Sequence, residues 1–136
     1  MALAFMLFTF GTCKKDPAEP ISDCQHQAVF GDQAYNNARS DDFDLDTMWL
    51  SNDCLTVRYW YGGGCGETEM MLVGSRDKTL HLPPAISAKL SFRDRDNCEA
   101  YIQTEKSFDL KPFQQSDSKT VTIRVDGRAE SFEYAY

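Results

Sequence analysis

The 136-residue sequence has little of what many functions require. It has no run of about 20 apolar residues, so no segment reads as a transmembrane helix. It has no cluster of Lys and Arg, and its 14 basic residues are outnumbered by 21 acidic ones, for a net charge of -7. Nucleic-acid binding needs clustered basic groups against phosphates, so that class of partner is excluded. Histidine occurs only twice, as His26 and His81, and neither lies in a recognisable catalytic motif. Internal repeats, low-complexity runs and convincing amphipathic helical periods are also missing. What remains is a chain that is 42% hydrophobic, enough for one folded domain of ordinary size.

Residues 1–12 carry no charge, and the sequence then changes abruptly at Cys13 to Lys-Lys-Asp-Pro-Ala-Glu-Pro. Met1 to Phe10 fits the apolar core of an export signal, and Gly11-Thr12 supplies small residues before a cut. The stretch resembles a bacterial lipoprotein signal, in which small residues precede a cysteine that becomes lipidated. It departs from that pattern at Phe10, where an aliphatic residue is usual, and in lacking a basic start. The resemblance implies cleavage before Cys13, acylation of Cys13, and a lipid-anchored protein of the outer membrane on its periplasmic or cell-surface face. Lys14 supports the outer membrane, since retained lipoproteins often carry Asp there. Residues 14–22, with Pro17 and Pro20 and no apolar period, read as a tether. The expected organisation is therefore a signal over 1–12, a lipidated tether over 13–22 and a domain over 23–136.

Four cysteines remain beyond Cys13: Cys24, Cys54, Cys65 and Cys98. An exported chain meets an oxidising compartment, so an even number predicts two disulfides. Three connectivities are open. Cys65 and Cys98 both sit beside turn residues at strand edges, and Cys24 is placed to tie an N-terminal arm to Cys54. The expected pairing is Cys65–Cys98 with Cys24–Cys54; the alternative has Cys65–Cys98 alone.

Hydrophobic alternation with period two dominates from Asp44 onward. Leu55, Val57, Tyr59 and Tyr61 alternate with Thr56, Arg58 and Trp60. Ile86, Ala88, Leu90 and Phe92 alternate with polar residues, as do Val121, Ile123 and Val125. Asp44 to Leu50, Glu67 to Val73, Cys98 to Thr104 and Phe132 to Tyr136 complete about seven strands, with Ala28-Val29-Phe30 as a further short one. Gly62-Gly63-Gly64 reads as a break or bulge, Gly74 to Lys78 as a loop, Phe108 to Phe113 as a loop or short crossover, and Asp126-Gly127 as a hairpin turn. The pattern predicts an all-β, antiparallel, immunoglobulin-like β-sandwich, with a small barrel as the alternative.

Asp53-Cys54-Leu55, Tyr61-Gly62-Gly63-Gly64-Cys65, Asp96-Asn97-Cys98-Glu99-Ala100 and Phe108-Asp109-Leu110 resemble a group of uncharacterised small Bacteroidetes lipoproteins. The likeness covers roughly residues 44–136. It implies a fold and a location, with no established activity. Members often carry His just after the Gly-Gly-Cys, where this chain has Gly66, Glu67, Thr68 and Glu69.

Several constellations invite chemistry, and each has a plainer reading. Asp42-x-Asp44-x-Asp46 resembles the opening of a calcium loop, but Thr47 stands where Gly is needed and Asp53 where Glu is usual; an acidic sheet edge is the expectation. Cys65 and Cys98 with His81 would suit zinc only as thiolates. A cysteine nucleophile beside His26 or His81 would need a free thiol. Glu67 and Glu69 read as neighbours on a solvent face. Gly62-Gly63-Gly64 lacks the Lys and helix of a phosphate loop. Trp60 and Arg58 lie on the strand face opposite Tyr59 and Tyr61, which makes them the candidate binding residues for a protein or glycan. The sequence thus predicts a non-catalytic binding or structural module with no cofactor and no metal. The alternatives are a secreted enzyme or enzyme inhibitor on a disulfide-stapled scaffold, and a calcium-binding envelope protein.

Overall fold

A computed structural model describes residues 23–136. The expected signal over 1–12, the expected lipidation at Cys13 and the expected tether to residue 22 lie outside the described residues. The domain is a sandwich of two sheets. One, sheet A, has the order β1 (His26–Gln27), β7 (Ala100–Asp109), β4 (Cys54–Gly63), β3 (Asp44–Ser51). The other, sheet B, runs β2 (Val29–Phe30), β5 (Thr68–Arg76), β6 (Ala85–Asp94), β8 (Thr120–Val125), β9 (Ser131–Ala135).

The core forms where the alternation places it. Leu55, Val57 and Tyr59 of β4 face Leu72 of β5, Ile86 and Phe92 of β6, and Val121 and Ile123 of β8, all essentially without solvent contact. Burying a large apolar side chain contributes about 1.5–3 kcal/mol, so these inward rows dominate the stability. Phe43, Tyr59, Tyr61 and Phe92 make an aromatic cluster with edge-on and tilted contacts at 5.4–6.0 Å between ring centres. The Tyr59 hydroxyl is buried there without a hydrogen-bond partner, and burial, helped by Tyr61, pushes its pKa up to about 12.

The seven long strands match the sequence pattern, and the two-residue strands β1 and β2 make nine. The expected antiparallel arrangement needs correction, because both sheets are mixed. β1 runs parallel to β7, β2 to β5, and β6 to β8. The cause is the path of the chain. After β6 it crosses into sheet A as β7, then returns through a 3-10 turn (Lys111–Phe113) to lie beside β6 in the same direction. Alternation reports which face is buried; it carries no information on the direction of the neighbour.

Smaller corrections follow from packing. β4 continues through Gly62 and Gly63, paired with Tyr101 and Ala100, and breaks only at Gly64, whose φ is +121°. Gly74, Ser75 and Arg76 belong to β5 rather than to a loop, because Gly74 leaves room for Phe113: a Cβ there would come within 2.5 Å of that ring. Phe108 and Asp109 extend β7. The residues Asp32–Asn37, bounded in the sequence by turn signals, form a short helix α1.

Candidate functional site

The outer faces of the two sheets differ. The outer face of sheet B is covered. Helix α1 and the stretch 38–41 lie across it, tied down by Ser75 to Asp32 and Ser91 to the Arg39 carbonyl. Lys89 sits over the Tyr35 ring at 4.1 Å, and the Tyr35 hydroxyl donates to Asp126 at 3.0 Å.

The outer face of sheet A carries no such cover among the described residues. Strand pleating places Arg58 and Trp60 of β4 outward, with Trp49 of β3 and Tyr101 of β7 on either side. Tyr101 pairs with Gly62, which has no side chain, so its ring lies against Trp60: the centres are 4.9 Å apart and the planes 9° from parallel. The Tyr101 hydroxyl donates to Asp44 at 2.6 Å, and this bond raises its pKa. The Arg58 guanidinium lies 5.2 Å from the centre of the Trp49 ring and pairs with Glu105 at 2.6 Å. Gln103 donates to Asp46 at 3.3 Å. The result is a braced, amphipathic surface, with Tyr101 60% exposed. Sequence periodicity placed Arg58 and Trp60 on this face. It missed Trp49 and Tyr101, because their position depends on register across three strands; the bulge between Leu45 and Thr47 shifts β3 by one residue.

At one end of this face the Cys24–Cys54 disulfide ties the N-terminal arm to the start of β4. The Cys65–Cys98 disulfide joins the β4–β5 and β6–β7 crossovers, where the chain passes between sheets. Beside it, nearly buried, the Asp96 carboxylate accepts from the backbone N–H of Gly64 at 2.6 Å, Cys65 at 3.1 Å and Cys98 at 2.9 Å. Desolvation alone would raise its pKa, but these backbone donors, with that of Gly66, outweigh it and hold the carboxyl below its ordinary value. Gly63 and Gly66 make room: a Cβ on either would come within 2.6–2.7 Å of Asp96.

The other constellations separate. Cys65, Cys98 and Asp96 lie within 4.8 Å of one another, but both sulfurs are in the disulfide and offer no thiolate to zinc. His81 sits in the β5–β6 connection, 3.6 Å from Asp77, and His26 packs on Phe108. No free thiol remains among the described residues. Asp44 and Asp46 are engaged by Tyr101 and Gln103, and no carboxylate group of three converges there among the described residues. Glu69 lies opposite Arg93 across the β5–β6 ladder.

No protein-family model matches this chain, and no curated protein does. Solved structures do share its fold. A protein of unknown function (DUF1344) from Bacteroides vulgatus superposes with a TM-score of 0.54 at 18% identity, over 81% of this chain and 56% of that one. A NigD-like immunity protein from Bacteroides caccae superposes with a TM-score of 0.57 at 16% identity, over 81% of this chain and 64% of that one. The chain thus spans less than two thirds of either neighbour. The likeness is one of fold, and both neighbours come from Bacteroides, in keeping with the motif resemblance.

Proposed function

We propose that this chain is a non-catalytic binding module, carried on the outer membrane through lipidated Cys13, and that the outer face of sheet A receives a protein partner. One observation carries the reading: Trp49, Arg58, Trp60 and Tyr101 stand together on a sheet face that nothing covers among the described residues. Trp, Tyr and Arg are the residue types that dominate protein–protein hot spots. A glycan stacks on open ring faces, and these rings offer fewer of them, because Trp60 and Tyr101 each spend one face on the other and Arg58 occupies a face of Trp49. The fold shared with a protein described as an immunity protein agrees with a non-catalytic use of the scaffold.

The test is a photo-crosslinking residue at position 60 in the native cell, with a second at Arg124 on the outer side of β8 as control. A discrete protein adduct at 60, lost on Arg58→Glu and not formed at 124, is the expected result. Glycan binding that disappears in Trp60→Ala would overturn the choice of a protein. Cys13→Ala should release the protein from the membrane fraction; retention would refute the anchor.

A further inference from the structure

A cleft of about 540 Å3 lies between the start of β3, β6 and the β8–β9 turn. Phe43, Leu45 and Leu90 give it an apolar lining, and Arg39, Lys89 and Arg128 give it three cations. Such a gathering runs against the net charge of -7. Two carboxylates share its rim and keep their charge, each turned to a tyrosine hydroxyl. Asp126 accepts from the Tyr35 hydroxyl at 3.0 and 3.2 Å, and Asp44 accepts from Tyr101 at 2.6 Å.

Lys89 is occupied by Tyr35, donating to its carbonyl at 3.2 Å from above its ring, whereas the two arginines retain unused donors. Arg128 gives Nη2 to Glu130 at 3.0 Å, but its Nε is buried with no hydrogen-bond partner. Leaving a buried donor unpaired costs about 1–3 kcal/mol, and more for a charged group. Arg39 gives only Nη1, to the Asn36 and Ala38 carbonyls at 3.3 and 3.2 Å. An oxyanion between Arg39 and Arg128 would take donors from Arg39 Nη2 and Arg128 Nη1, and the Arg128 side chain would have to turn for its buried Nε to join them, while Phe43, Leu45 and Leu90 would pack an adjoining apolar body.

We infer that this cleft binds a small organic anion, a carboxylate or phosphate group on an apolar body. The site is distinct from the four side chains proposed to receive the partner, and the two are joined at one point, where Asp44 at the rim of the cleft is held by Tyr101. The test titrates the full chain with phenyl phosphate, phenylacetate, benzyl alcohol and inorganic phosphate, following the methyl NMR signals of Leu45 and Leu90. At least one aromatic anion should saturate and shift both residues, and which one binds tighter identifies the acid group. Benzyl alcohol and inorganic phosphate should each bind at least roughly tenfold more weakly, the weight of one charge-assisted hydrogen bond. Arg128→Gln and Arg39→Gln should each cost a similar factor at an unchanged melting temperature. Trp49→Ala, which leaves the Tyr101–Asp44 bond in place, should bind the anion as the unaltered protein does, so that failure here is separable from failure on sheet A. If Arg128→Gln does not fold, Arg39→Gln, on an exposed residue, decides. The proposal falls if neither aromatic anion saturates, if benzyl alcohol or inorganic phosphate binds as tightly, or if the arginine variants keep full affinity.

Discussion

The two outer faces of the sandwich are built on the same pleat and put to opposite use. On sheet B, Ser75, Lys89 and Ser91 are small or polar anchors, and helix α1 with its following stretch lies across them. On sheet A, the equivalent outward positions are Trp49, Arg58, Trp60 and Tyr101, and their contacts are with one another. A face meant to be covered by its own chain needs hydrogen-bonding handles. A face that keeps large aromatic and guanidinium groups in place without a cover is the pre-organised surface that the proposed partner would use. Both tryptophans of the chain lie on sheet A's outer face, so intrinsic tryptophan fluorescence reports on that face and is silent on the other.

Several changes would break or sharpen this contrast. Phe92→Ala removes the ring shared by the aromatic cluster between the sheets. It should destabilise by about 3–5 kcal/mol and collapse both faces together in denaturant unfolding. Loss of one face alone would mean that the sheets unfold independently. Cys24→Ser with Cys54→Ser opens a 30-residue separation and should cost about 2–4 kcal/mol, read as a lower urea midpoint. Tyr35→Ala strips the covered face of its Lys89 and Asp126 contacts. A loss of about 1–2 kcal/mol is expected, with the tryptophan emission of the folded state unmoved. A shifted emission would show that the two faces are coupled.

Asp96 supplies a perturbation that both faces share, because it sits at the crossovers between the sheets. Its folded carboxyl is held below the ordinary value, so the folded state binds fewer protons than the unfolded chain. Its contribution is therefore complete at neutral pH and is lost as pH falls below about 4. The melting temperature should drop there, and Asp96→Asn should flatten that part of the profile. An unchanged profile would show that the backbone cradle does not hold a charge. Trp60→Ala should move stability least, by under about 1 kcal/mol, while weakening partner binding by at least about tenfold. A large stability loss with intact binding would make Trp60 a structural residue and remove the functional side of the contrast.

Much of this was legible in the residues themselves. The inward rows Leu55-Val57-Tyr59 and Val121-Ile123-Val125, and the outward setting of Arg58 and Trp60, follow from period-two alternation. Helix α1 was hidden because its six residues, Asp-Gln-Ala-Tyr-Asn-Asn, bury none of their number and so show no helical stripe. The extra length of β5 was hidden because Gly74 reads as a breaker until Phe113 is seen filling the space it leaves.

By itself the chain determined its local periods: which side chains face a core, where the Asn52-Asp53 and Asp126-Gly127 turns end a strand, and that the cysteines beyond Cys13 are even in number. Those properties depend on neighbours along the backbone. The favoured cysteine pairing, Cys65–Cys98 with Cys24–Cys54, is the one the structure has, whereas tertiary structure alone decided the parallel pairings, the meeting of Trp49 with Arg58 and of Trp60 with Tyr101, and the gathering of Arg39, Lys89 and Arg128 at one cleft. Each of these joins residues on different strands or loops, and it is set by strand register and crossover path, which alternation along one strand does not encode.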